Sequence, residues 1–169
     1  KDPTKSTHSL EETVNKSDVI FMSVPTPSNP DGSRHLGILE SALNDINNIN
    51  KENNNILIRS TVIPGTSKKL QKKFPNLRLV FNPEFLREVT AVEDFKNQDN
   101  IVFGVNKDLS QEELKRLETL YEGVVNNFNI QNVSIVSYES AELIKYAQNV
   151  MLGSRIATCN IIYDACEKL

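Results

Sequence analysis

Residues 82–88 read NPEFLRE, which puts the carboxylates Glu84 and Glu88 four positions apart with Arg87 between them. On one turn of backbone the two acids would share a side, and Arg87 could offset one of them. Phe85 and Leu86 form an apolar wedge between the charges. A carboxylate set against such a wedge has its pKa pushed up, as general acid–base work at neutral pH requires. The same residues also suit a loop salt bridge with no chemistry attached.

Three further stretches carry reactive groups. In VPTPSNPDG, beginning at Val24, prolines hold the backbone stiff and Thr26 offers a hydroxyl at a fixed place. In RSTVIPGT, Thr61 ends an apolar run and could hold a water or the edge of a cofactor ring. In AELIKYAQN, Lys145 and Asn149 lie four apart on a helical pattern, and Glu142 lies three before the lysine. A lysine and an amide projecting together can stabilise an oxyanion or bind a sugar hydroxyl. Each stretch also has a plain alternative: a rigid strand exit, an ordinary Ser-Thr strand end, a solvated lysine.

The elements that must position these groups follow from periodicity. Apolar runs predict strands at 19–24, 55–60, 77–81, 100–105 and 133–136. Ser9–Glu12 and Ser110–Glu113 are capping-box patterns that open helices, the second running through about Tyr121. Leu36, Leu39, Leu43, Ile46 and Asn50 mark a helix face, and Pro64-Gly65 turn the chain into the basic helix TSKKLQKKF. From Glu139 onward one helical pattern of about 30 residues would extend about 45 Å, long enough to bridge two domains. Strands alternating with amphipathic helices give an α/β fold, a partial Rossmann-like parallel sheet followed by a long interdomain helix. In such sheets ligands bind beyond the carboxyl ends of the strands, where the first three reactive stretches lie.

The bulk properties set limits. The 169 residues carry a net charge of −3, with no basic run suited to nucleic acid. No stretch approaches the roughly 18 apolar residues of a membrane span, and no secretory leader opens the sequence, so a cytoplasmic protein is expected. His8 and His35 are in no metal-ligand spacing, and no metal is expected. Cys159 and Cys166, seven positions apart on a helix, would be about 10 Å apart. That is too far for a disulfide, and reduced core thiols are expected.

Taken in order, DVIFMSVPTP, STVIPGT, FNPEFLRE.TA..D and AELIKYAQN resemble the nucleotide-sugar 6-dehydrogenase family, and within it the UDP-glucose dehydrogenases. The resemblance runs over essentially all 169 residues. It implies oxidation of a sugar C6 hydroxyl to the carboxylate with two NAD per turnover, in support of polysaccharide biosynthesis. It also implies a homodimer formed through the central helix, with no nucleic-acid or membrane partner. Residues 1–137 would be the second part of the NAD-binding Rossmann domain, and 138–169 the start of the central helical domain. The Gly-rich dinucleotide turn would precede Lys1, and the nucleophilic cysteine would follow Leu169.

By the same resemblance, Val24, Thr26, Thr61 and Glu88 would contact the cofactor. Thr61 would also help hold the catalytic water, and Glu84 would act as acid–base in thioester formation and hydrolysis. Glu84, Phe85, Leu86, Arg87 and Glu88 would line the substrate site. Lys145 and Asn149 would bind the sugar and stabilise the oxyanion. Departures from the family pattern are Val89 where glycine is usual, Asp99-Asn100 for Asp-Arg, and Gln148 for a small residue. GDP-mannose oxidation is the rival substrate reading. A non-catalytic binding or dimerisation module is the reading of another class.

Overall fold

The computed structural model describes residues 9–49, 55–106 and 110–169. His8 and the helix marker Asn50 therefore lie outside the described residues. The elements run α1 (Leu10–Asn15), β1 (Val19–Met22), α2 (Gly37–Ile49), β2 (Asn55–Ile58), α3 (Thr66–Lys73) and β3 (Arg78–Phe81). They continue with a 3-10 turn (Glu88–Thr90), α4 (Ala91–Lys96), β4 (Ile101–Val105), α5 (Gln111–Glu122), a second 3-10 turn (Ile130–Asn132), β5 (Val133–Ser137) and α6 (Tyr138–Cys166). Both expected caps form: the Ser9 hydroxyl accepts from the Glu12 N–H, and Ser110 and Glu113 make the full reciprocal box.

The five strands form one sheet in the order β1-β2-β3-β4-β5. The first three are parallel, as are β4 and β5, but β4 runs antiparallel to β3 through the pair Phe81↔Gly104. The sheet is thus mostly parallel, as expected, with one reversal that strand–helix alternation does not reveal. The connecting chain passes through the NPEFLRE loop and six-residue α4 before β4 begins.

Period-two alternation divides the core between two faces. Ile56, Ile58, Leu79 and Phe81 pack beneath Leu39 and Leu43 of α2, Leu70 of α3, and Tyr138 and Ala141 of α6. Leu57, Val80 and Phe103 face the other way, toward Leu117 and Tyr121 of α5. Leu39, Leu43, Ile56, Leu57 and Ile58 are all fully buried, each contributing roughly 1.5–3 kcal/mol.

Helix α6 has two halves. Its first turns carry its buried residues, Tyr138, Ala141, Glu142 and Lys145. From Ala147 onward every side chain is exposed, including Val150, Met151, Leu152, Ile156, Ile161 and Ile162. The expected core thiols are corrected here: Cys159 and Cys166 are free but lie on this exposed half.

Candidate functional site

Parallel pairing puts the three reactive loops at one edge. The register Met22↔Ile58↔Phe81 sets the last residues of β1, β2 and β3 at one level, so the chain leaves all three strands side by side. The loops are then bonded to one another. The Thr26 hydroxyl donates to the Thr61 carbonyl at 2.8 Å, and the Ser60 hydroxyl donates to the Val24 carbonyl at 2.6 Å. The Asn82 N–H donates to the Ile58 carbonyl at 2.9 Å. Thr61 is half-buried, and its own hydroxyl has no hydrogen-bond partner among the described residues.

Helix α6 reaches this edge from above the sheet. Gly104 allows the approach, because a Cβ there would sit 2.6 Å from the Cβ of Ala141. Tyr138 donates its hydroxyl to the Leu79 carbonyl at 2.6 Å. One turn beyond Ala141, the Lys145 ammonium bonds the Glu84 carbonyl and lies 3.1 Å from Glu84 Oε1. It also sits 5.4 Å from the centre of the Phe85 ring. The lysine side chain is 8% exposed and the Glu84 side chain 29%, so water screens this pair only in part.

The protonation of Glu84 differs from expectation. Burial does push its carboxyl up, and that is the largest single influence. The Leu86 N–H at 2.8 Å, Lys145 and Arg59 together outweigh it and hold the carboxyl below its ordinary value. The apolar wedge alone misleads because an amide and Lys145 bond the same carboxylate and Arg59 adds positive charge from farther away.

The role expected for Arg87 beside the two glutamates is also corrected. Its guanidinium forms a bidentate pair with Asp94 at 2.7 and 3.0 Å, and its backbone N–H bonds the same carboxylate at 2.9 Å. Thr90 adds a fourth bond to Asp94 at 3.0 Å. Glu84 and Glu88 do not share a helical turn. The chain is irregular through Arg87, and exposed Glu88 opens the 3-10 turn. Val89, standing where the family pattern has glycine, is 96% exposed in that turn.

Phe85, Leu86 and Arg87 line one wall of a groove of about 690 Å³ whose other side includes Ile144 and Gln148 of α6. Asn149 is on α6 four residues beyond Lys145 but is exposed, and among the described residues its side chain makes no hydrogen bond. The structure therefore brings together Val24, Thr26 and Thr61 on one side and Glu84, Phe85 and Lys145 on the other. Glu88 and Asn149 stand apart from these contacts.

Several residues that shape the edge carried no role from the sequence. The Glu142 side chain is fully buried and accepts the Gly65 N–H at 2.5 Å and the Ser67 N–H at 2.7 Å. It thereby caps α3, whose own N-cap, Gly65, has no side chain to do so. Burial pushes the Glu142 carboxyl up despite those two donors. Arg34 donates to the Thr26 carbonyl at 3.2 Å, within a loop that closes through an isolated Ser28↔Arg34 bridge. Arg59 and Asn82 are bonded at 2.7 Å. The one available signal was a charged residue at the end of an otherwise apolar strand.

Residues 2–125 match the model of the UDP-glucose/GDP-mannose dehydrogenase family, NAD binding domain. The UDP-glucose 6-dehydrogenase of Rickettsia conorii is 35% identical over 173 residues, covering 99% of this chain and 38% of that protein. A UDP-glucose dehydrogenase structure from Pyrobaculum islandicum superposes with a TM-score of 0.75 at 30% identity, covering 92% of this chain and 37% of that one. A GDP-mannose dehydrogenase structure from Pseudomonas aeruginosa gives 0.73 at 29%, covering 89% and 36%. The chain thus spans less than two-fifths of the length of these proteins.

Proposed function

This chain belongs to the UDP-glucose/GDP-mannose dehydrogenase family, and from that premise we propose that the full protein oxidises the C6 hydroxyl of UDP-glucose to the carboxylate. The observation that carries the reading is the Lys145–Glu84 contact at the strand edge where Thr26 and Thr61 meet. NAD, when bound, supplies the hydride acceptor; Val24, Thr26 and Thr61 would hold its nicotinamide end, with Glu88 nearby. Lys145 stabilises negative charge developing on the C6 oxygen, and Asn149 adds a donor once substrate orders that face. Glu84, held ionised, takes and returns a proton through a water that Thr61 orients. Phe85, Leu86 and Arg87 form the substrate wall, and the Asp94 clamp keeps Arg87 in place.

On this reading residues 1–137 are the second part of the NAD-binding Rossmann domain, and 138–169 begin a central helical domain. The exposed apolar half of α6 then forms a homodimer contact in a cytoplasmic enzyme. Among the described residues no helix is long and apolar enough to cross a membrane. GDP-mannose is the second reading, supported by the similar superposition on the Pseudomonas aeruginosa structure. The test is NADH release by the full-length protein with UDP-glucose and with GDP-mannose. Release with UDP-glucose supports the proposal, release with GDP-mannose alone transfers it to the second reading, and release with neither overturns both. The 169-residue chain alone is expected to show no turnover, and NADH production from it would contradict that.

A further inference from the structure

Arg59 leaves β2 one residue before Ser60, and its guanidinium is unusually fixed for a half-buried cation. One nitrogen, Nη1, donates to Asn82 Oδ1 at 2.7 Å and to the Tyr121 hydroxyl at 3.0 Å. The group lies 5.8 Å from the centre of the Phe21 ring and 5.6 Å from that of Phe95. Among the described residues no carboxylate comes within ion-pair distance of it, although seven other ion pairs form. A guanidinium held by neutral partners keeps its full charge for whatever carboxylate lies nearest.

The anchors are themselves tied down. Tyr121, 1% exposed, donates its hydroxyl to Asn82 Oδ1 at 2.5 Å. The Asn82 amide donates to the Val102 carbonyl at 3.0 Å, bridging β3 and β4 across the antiparallel junction. Asn82 is two residues before Glu84, so a cation bonded to Asn82 is fixed relative to the NPEFLRE loop. Lys96 lines the same cavity as Arg59, Phe21 and Phe95 and is the other cation on that side.

We propose that Arg59 is a positioning residue of the candidate site: braced by Phe21, Phe95, Asn82 and Tyr121, it seats the exit of β3 and presents a permanent positive charge to Glu84. Lys145 from α6 lies 3.1 Å from the Glu84 carboxylate and favours it directly. Arg59 at the end of β2, fixed through Asn82 two residues before Glu84, favours it more weakly and from beyond ion-pair distance. Lys145 also bonds the backbone of the loop, whereas Arg59 supplies charge that does not compete for substrate. The inference rests on the reading of Glu84 as the acid–base group.

The test uses the full-length protein with ¹³C-labelled glutamate, following the Glu84 carboxyl by NMR titration beside the pH profile of kcat/KM. Arg59→Met is expected to move the Glu84 titration and the acidic limb of the profile together to higher pH. Arg59→Lys, which keeps charge and loses the fork, is expected to restore most of both. If Arg59→Met does not fold, Tyr121→Phe removes one anchor, and a smaller shift in the same direction is expected. An unmoved Glu84 titration in the folded variants overturns the role of Arg59, even if stability falls. A titration that moves while the limb stays keeps that role and overturns the assignment of Glu84.

Discussion

Replacing Gly104 with alanine tests whether the closeness of α6 to the sheet is what places Lys145. The added Cβ would meet the Ala141 Cβ at 2.6 Å, the Phe81 Cβ at 3.2 Å and the Phe81 carbonyl oxygen at 3.3 Å. Relieving the first contact to an ordinary carbon separation of roughly 3.5–4 Å requires a displacement of about 1 Å. Overpacking of this kind costs about 1–3 kcal/mol. Lys145 is one turn beyond Ala141, so a helix displaced by that much carries its ammonium away from Glu84, now 3.1 Å distant. The urea midpoint of the 169-residue chain should fall, and the full-length protein should lose turnover. A second change, Ala141→Gly, removes the obstructing methyl at a helix cost of about 1 kcal/mol. The double variant should therefore recover a large part of the stability lost in Gly104→Ala. If the two losses simply add, steric contact between residues 104 and 141 does not set the helix position, and the reasoning fails.

Three other outcomes are expected. Lys145→Met in the full-length protein should lower kcat by about 10²–10³-fold, the usual effect of removing one charge-stabilising donor; a change within a few-fold would remove Lys145 from the chemistry. Glu84→Gln should slow hydrolysis far more than it weakens substrate binding, read as a fall in kcat at nearly constant KM, and retained turnover would contradict its role. Asp94, held well below the ordinary carboxylate range by the Arg87 side-chain and backbone bonds, contributes stability present above its ordinary value of 3.8 and lost as pH falls below it. Urea midpoints measured from pH 5 down to pH 2 should therefore fall less steeply in Asp94→Asn than in the parent chain, and identical slopes would dismiss the clamp.

The sequence by itself determined the five strands and every helix but α4, because strand and helix periodicities and two capping boxes are local signals, and six-residue α4 carries neither. It also marked the strand-exit loops, since proline, Ser-Thr and paired acids stand out against apolar runs. The contact between Lys145 and Glu84 was implied only by the ordered resemblance of the four stretches, since the two residues are 61 positions apart. Tertiary structure decided the partners. Arg87 turns to Asp94 rather than to Glu84, and Glu142 caps a helix 75 residues away in the chain. Glu84 is held down rather than raised because the Leu86 N–H and Lys145 of α6 bond it and Arg59 adds charge from β2. The reversal at β4 is likewise a property of the tertiary pairing, seen at Phe81↔Gly104. A side chain's charge state and partner depend on what the fold brings within a few ångströms of it, and local periodicity carries no record of that neighbourhood.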